Sequence, residues 1–298
     1  MFENQVVIII ALTLLGLSAG SFAGALLWRM RAKQLSEDKK AGDKVGKKEF
    51  NRLKSLTDSS IVSGRSQCLD CGYSLKWYDL LPVVSWLSLK GKCRQCKKPI
   101  GNLEPILEVG VASFFVSSFL FWPRELDGIL SWIQFAVWLI AGVMLATLLA
   151  YDKKWMLLPN KINFSVIGAG LIFSVLVLLQ AENVVTSLLS IGGAIAILSG
   201  LYFVLHIASK GRLVGFGDVK LGLGLSLLLA DWQLAFVALF AANLIGCLII
   251  IPGLLSGKLK RNSRVPFGPF LIIGWLVAGL FGAGIITFYL DLLILGAL

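Results

Sequence analysis

The chain of 298 residues contains one histidine, His206, and only 17 acidic residues against 28 basic ones. One histidine cannot supply the HExxH ligand pair of a zinc metalloprotease, and its place near the end of an apolar stretch suits a helix boundary better than a Ser-His-Asp relay. No dinucleotide fingerprint, internal repeat, coiled-coil, collagen or low-complexity pattern is apparent. Charged residues make up 15% of the chain and apolar types 57%, with a mean hydropathy of +0.82. That balance is too apolar for a water-soluble globule of this length.

Long apolar runs fill the space that charge leaves. A spanning helix needs roughly 20 mostly apolar residues to cross a hydrocarbon core of about 30 Å. Eight runs qualify, at 5–28, 106–122, 130–150, 162–180, 185–208, 214–230, 232–255 and 269–289. The later runs are joined by short connections, which predicts sequential antiparallel neighbours in one bundle. The expected fold is an all-α polytopic membrane protein of about eight transmembrane helices. Its expected parts are a first helix at 1–28, a cytoplasmic loop domain at 29–105 between helices 1 and 2, and a seven-helix membrane core at 106–298.

Basic residues are strongly asymmetric about these runs. Twenty-seven of the 28 fall in 29–105, 151–161, 209–220 and 256–268, and only Arg124 lies opposite. Lys and Arg are held on the cytoplasmic side during insertion, so these segments are expected there and both termini outside. The net charge of +11 follows from that topology and does not point to nucleic acid. The first run is about 24 residues long, lacks a basic leader and is followed by Arg29-Met30-Arg31, which reads as a retained anchor rather than a cleaved signal.

The loop domain divides near Gly64. Residues 31–60 are charged and poor in aromatics, and are expected to form a mobile basic arm or a frayed helix. Residues 65–105 carry four cysteines and the run Trp77-Tyr78-Asp79-Leu80-Leu81, which suits a membrane interface. Cys68-Leu69-Asp70-Cys71 and Cys93-Arg94-Gln95-Cys96 are two C-x2-C pairs 21 residues apart. Two such knuckles provide the four thiolates of a closed tetrahedral zinc site, with Gly72 free to adopt the positive φ that a knuckle requires. A reducing cytosol argues against disulfides, and a redox CxxC would leave the second pair unexplained. Cys247, alone in an apolar run, reads as a small buried hydrophobe.

Ionisable residues within spans are costly and mark functional sites. Glu108, Asp152 and Asp218 are the candidates. Asp152 ends a run in Tyr151-Asp152-Lys153-Lys154 and taken alone reads as a boundary carboxylate paired with a neighbouring lysine. Asp218 lies inside an apolar run, in Gly215-Phe216-Gly217-Asp218-Val219-Lys220, with Lys220 as its available polar neighbour. The two glycines allow close backbone approach and are expected to loosen the helix beside the carboxylate. Both aspartates fall on the same side at similar depth. A pair brought together would share a proton and divide general-base and general-acid roles. An ion-coupled transporter and a zinc-loop assembly scaffold are the alternatives at this level.

Five motifs in order give the chain a resemblance to the type IV prepilin leader peptidases, a GxGD-type aspartyl protease family. They are Gly20-Ser21-Phe22 with Arg29; the two C-x2-C pairs flanking Trp77-Tyr78-Asp79; Asp152 with Leu158-Pro159-Asn160; Gly215 to Lys220; and Pro266-Phe267-Gly268-Pro269. The resemblance implies Asp152 and Asp218 as catalytic residues, with Gly215, Gly217, Lys220 and Pro159 in supporting motifs. It implies a plasma-membrane enzyme that removes leaders from prepilins or pseudopilins in the bilayer. It also implies, as in many members, N-methylation with S-adenosylmethionine, although no methyl-donor fold is visible. Gly24, where relatives often have Asn, and Gly101-Asn102-Leu103-Glu104-Pro105 depart from the family pattern.

The charge asymmetry generates a topology test. Tags at Glu125 and Glu182 should react with a membrane-impermeant reagent in intact cells, and tags at Val45 and Lys260 should not. Labelling at Val45 would reverse the orientation.

Overall fold

The computed structural model describes residues 2–57, 60–258, 260 and 265–295. Among these, helices dominate and no strand occurs beyond two isolated β-bridges. The chain forms two compact units, Met1–Phe119 and Leu120–Leu298.

The first unit begins with α1, Phe2–Lys40, whose 39 residues make a rod about 58 Å long. It extends well beyond the expected end at residue 28. The arm expected at 31–60 is largely helical: α1 runs through its first third, and α2 (Lys47–Leu53) with a 3-10 turn (Lys54–Leu56) folds back on it. Ala32, Leu35, Leu53 and Leu56 are buried together, with Trp28, Val45, Phe50 and Leu69 packed around them. Arg31 grips Glu49 through two bonds of 3.1 and 2.9 Å. The apolar residues within the arm are too few to announce a core, and the cluster is completed by Trp28 and Leu69 from outside it. Arg29 is buried and donates to the carbonyls of Ile61 and Val62 at 3.1 and 3.2 Å and to that of Gly64, pinning the end of the segment to α1.

After the cysteine region comes a short α3, Val84–Ser88, and then α4, Leu103–Leu120. Trp77, Leu80, Leu81, Val84 and Leu87 are all exposed, an apolar face on the segment expected at the membrane interface. α4 packs on α1 at two small residues. A Cβ at Gly16 would lie 2.6 Å from Ala112 Cα, and one at Gly20 would lie 2.5 Å from Glu108 Cα. Only glycine permits that approach. α4, expected within the membrane core, therefore groups with the first unit.

The second unit contains α5 (Ile129–Trp155), α6 (Asn160–Leu179), α7 (Val184–Ile195), a π-turn (Ala196–Gly200), α8 (Leu201–Ala208), α9 (Phe216–Leu229), α10 (Trp232–Leu255) and α11 (Gly268–Leu295). Its interior is built by small residues meeting backbone and by stacked aromatics. A Cβ at Gly170 would meet Leu227 Cβ at 2.7 Å, one at Gly274 would meet the Ala238 carbonyl, and Trp138 stacks on Trp275 with ring centroids 3.9 Å apart. Cys247 lies on an exposed face of α10 rather than in the core.

Among the described residues, seven helices are long and apolar enough to cross a membrane, counting α7, the π-turn and α8 as one rod. The chain is a multi-pass membrane protein. The eighth expected span is α9, whose 14 residues reach only about 21 Å. Most of α9 is buried against its neighbours, so protein rather than lipid surrounds it and full membrane length is not required of it.

The α1–α2 cluster yields a stability test. Leu53→Ala should cost about 2–5 kcal/mol of local stability, read as faster amide exchange across 47–56. Unchanged protection there would mean that the cluster does not hold the segment.

Candidate functional site

The cysteines form two near-identical knuckles. In the first, Cys68 N–H donates to the Tyr73 carbonyl at 2.9 Å, Gly72 N–H to the Cys68 carbonyl at 3.0 Å, and Leu75 N–H to the Ser66 carbonyl at 2.9 Å. In the second, Cys93 N–H donates to the Lys98 carbonyl at 2.9 Å, Lys97 N–H to the Cys93 carbonyl at 3.0 Å, and Ile100 N–H to the Gly91 carbonyl at 2.8 Å. The bridges Gln67–Ser74 and Lys92–Pro99 match as well. Gly72 has the expected positive φ of 72°, and Lys97, its counterpart, takes 57° without being glycine. This is an internal repeat that sequence reading missed, because its signature is backbone geometry and the two segments share little beyond the cysteines.

All four Sγ atoms lie within 4.8 Å of one another, with Cys68–Cys96 and Cys71–Cys93 at 3.9 Å. A tetrahedron of sulfurs about 2.3 Å from zinc has edges of about 3.8 Å, so the cluster can hold a metal ion and fits zinc. Burial pushes the Cys68 thiol up to about 12. At Cys93 burial is opposed by the N–H groups of Cys96 and Gln95, and the thiol falls to about 7. Four thiols this close do not all ionise without a cation among them.

Asp79 ties the two knuckles together. Its side chain is 2% exposed and accepts from Arg94 Nε at 2.7 Å, Lys76 N–H at 3.2 Å and Tyr73 O–H at 3.4 Å. Burial works against its charge, but the Arg94 and Lys76 hydrogen bonds prevail and hold the carboxyl below its usual range. Glu108 also belongs to this unit. It is buried and accepts from Val83 N–H at 2.7 Å, with Val83 itself at a positive φ of 59°.

The aspartates belong to the second unit, each beside the N-terminus of a helix. Asp152 is in the last turn of α5, which continues to Trp155, and is 5% exposed. Its Oδ2 accepts from Gly268 N–H, the first residue of α11, at 3.1 Å, rather than sitting as a solvated boundary group. A Cβ at Gly268 would lie 2.6 Å from that oxygen, so the contact requires glycine. Asp218 is the third residue of α9 and is partly buried. Its Oδ2 accepts from Gly215 N–H at 3.2 Å, closing the first turn. Helix N-termini carry partial positive charge and suit both carboxylates.

Leu158 joins the two halves. It meets the would-be Cβ of Gly217 at 3.1 Å and that of Gly268 at 3.5 Å. Gly217 thus serves close packing against Leu158. Gly215 has a φ of −75°, open to any residue, so neither glycine loosens the helix as expected. Lys220 Nζ donates to Asn160 Oδ1 at 2.7 Å, next to Pro159 at the start of α6, and so ties the Leu-Pro-Asn motif to the turn carrying Asp218. The charge of Asp218 acts on Asp152. His206 Nδ1 pairs with the Val214 carbonyl at 2.8 Å, in keeping with a boundary role. The roles of Gly268, Leu158 and Asn160 were hidden in sequence, although all three stood in motifs already singled out.

Two family models match the chain: the bacterial peptidase A24 N-terminal domain over residues 14–122 and the type IV leader peptidase family over residues 139–251. The first covers the four cysteines and the second both aspartates. The type 4 prepilin-like proteins leader peptide-processing enzyme of Escherichia coli O78:H11 is 30% identical over 283 residues, 93% of this chain and 92% of that protein. The prepilin leader peptidase/N-methyltransferase of Bacillus subtilis is 31% identical over 236 residues, 78% of this chain and 88% of that protein. The protein of the same name from Pseudomonas aeruginosa is 26% identical over 293 residues, 97% of this chain and 96% of that protein. No solved structure matches.

The cysteine geometry predicts about one metal ion per chain from a single four-sulfur site. Cys93→Ser should remove most of it. Metal analysis of protein purified under reducing conditions checks both, and an absent metal or an unaffected variant would contradict the site.

Proposed function

Because the chain belongs to the type IV leader peptidase family, we propose that it removes the leader peptide of prepilins or pseudopilins at the cytoplasmic face of the plasma membrane, with Asp152 and Asp218 as an aspartic catalytic pair. The observation that carries this reading is that each carboxylate is held by a backbone N–H at a helix N-terminus, that Leu158 packs against both of those turns at Gly217 and Gly268, and that the charge of Asp218 acts on Asp152. The cytoplasmic placement rests on the basic residues flanking both, Lys153, Lys154, Lys210 and Arg212 among them.

The chemistry follows from two carboxyls that hold one proton between them. The ionised group takes a proton from water as the water oxygen bonds to the scissile carbonyl carbon. The protonated group hydrogen-bonds the carbonyl oxygen, where negative charge develops. Collapse of the tetrahedral species breaks the C–N bond, and the leaving nitrogen takes up a proton. The leader leaves with a new carboxylate and the pilin segment keeps a free amine. Asp152, held by Gly268 N–H, and Asp218, held by Gly215 N–H, each keep a second oxygen for this work.

The relatives' name includes N-methyltransferase, and methylation of the new amine is proposed here as the second activity. In the first unit a cleft of about 170 Å³ is lined by Trp28, Trp86, Glu104 and Glu108, with Glu104 Oε2 buried and lacking a hydrogen-bond partner among the described residues. Carboxylates beside indole rings suit a cationic sulfonium or amine, and these residues would hold S-adenosylmethionine, which supplies the methyl group. The metal of the four cysteines is proposed to be zinc in a structural role, since four thiolates leave no open position for a water.

Asp152→Asn and Asp218→Asn should each reduce cleavage of a prepilin-like peptide to background while the protein still inserts and accumulates normally. An amide of equal size preserves packing and removes the shared proton. Substantial cleavage by either single variant, read by mass spectrometry, would sink the aspartic assignment.

A further inference from the structure

Tyr202, the second residue of α8, is 4% exposed, and its hydroxyl makes no hydrogen bond of normal geometry among the described residues. A buried tyrosine hydroxyl ordinarily finds one, and an orphan calls for explanation. Its surroundings supply one. The π-turn before it presses this rod against α9: Ser199 Oγ donates to the Val219 carbonyl at 3.1 Å, and a Cβ at Gly222 would come within 2.4 Å of the Leu198 carbonyl oxygen. Val219 directly follows Asp218, and Tyr202 lies three residues, about 4.5 Å of helical rise, beyond Ser199. π-turns recur at functional sites because the extra residue re-aims the side chains that follow.

On its other side the Tyr202 ring packs against Phe267, with centroids 5.6 Å apart. Phe267 precedes Gly268, whose N–H holds Asp152. Tyr202 thus touches the segment that fixes one aspartate and lies within electrostatic reach of the other. Asn243 is a polar neighbour that acts on the Tyr202 hydroxyl; its Nδ2 is committed to the Leu239 carbonyl at 2.8 Å, which leaves its Oδ1 as a competing acceptor for the phenolic proton.

We propose that Tyr202 is a further catalytic residue, whose hydroxyl donates a hydrogen bond to the scissile carbonyl oxygen as negative charge develops there. This rests on the aspartic reading above. A phenol is neutral at physiological pH and is a donor of fixed direction once its ring is packed. It keeps its proton throughout, and the bonds made and broken remain those of water addition and C–N cleavage. A donor held close to the developing charge, with no hydrogen bond of normal geometry to give up, strengthens binding of the transition state more than of the substrate.

The test uses the full chain in liposomes with a prepilin-like peptide. Tyr202→Phe keeps the ring and its contact with Phe267. It should lower kcat about 10–100-fold, with KM within about twofold and a thermal midpoint equal to or above that of the parent. A kcat within about twofold of the parent overturns the proposal, as does a lost kcat accompanied by a lower midpoint, which would mark a structural hydroxyl bonded to Asn243. Asp152→Asn is assayed alongside. If it cleaves at the parent rate, the aspartic reading fails and this proposal with it; if it is inactive while Tyr202→Phe is fully active, only the Tyr202 role falls.

Discussion

A carboxylate inside an apolar bundle must draw its hydrogen bonds from the bundle itself, and the second unit is arranged around meeting that demand twice. Asp152 is met by the first N–H of α11, and Asp218 by the N–H of the residue that caps α9. Backbone N–H groups at helix starts are the donors that a helical membrane protein has free. Bringing them to the carboxylates requires helices to end in the right places and to approach closely. The approach is made by glycine at 170, 222, 224, 268 and 274, where a Cβ would fall within 3.0 Å of a neighbouring atom. The short α9 is part of the same solution. Ending well inside the bundle, it presents its first turn to the carboxylate site, and burial by its neighbours removes the usual need to match the bilayer.

The first unit solves a different problem. Its extramembrane part has little apolar material, one cluster of four buried aliphatic residues, and cannot order a long charged segment by burial alone. It is cross-braced instead. Arg29 collects three carbonyls, Arg31 grips Glu49, Asp79 links the two knuckles, and the four sulfurs offer one further cross-link through a metal. Metal binding and folding are coupled in small sites of this kind, so the ion would act here as a substitute for core.

Within the second unit, the motifs differ in how they act. Gly217 and Gly268 let Leu158 pack closely against the two turns beside the carboxylates. Lys220 and Asn160 tie α9 to α6 through a single 2.7 Å bond. This division explains why a motif can be needed for the geometry through packing and cross-bracing alone.

Much of the architecture was legible in sequence because bilayer physics writes itself along the chain. Seven apolar runs became helices long enough to span, their ends within a few residues of the expected ones except at the C-terminal ends of α1, α5 and α11, which run further, and the C-x2-C pairs named a metal-competent cluster. The aspartates stood out because charge in an apolar run is costly wherever it falls. What the sequence could not carry were relations between segments distant along the chain. The order of residues 31–60 depends on Trp28 and Leu69, and the repeat of the knuckles is written in hydrogen bonds. The grouping of α4 with α1 depends on two glycines meeting Ala112 and Glu108, and the exposure of Cys247 on which side of α10 faces its neighbours. Periodicity and composition report how each segment meets its solvent, whereas Gly268 N–H on Asp152 joins residues 116 apart, a contact that exists only once the helices have packed.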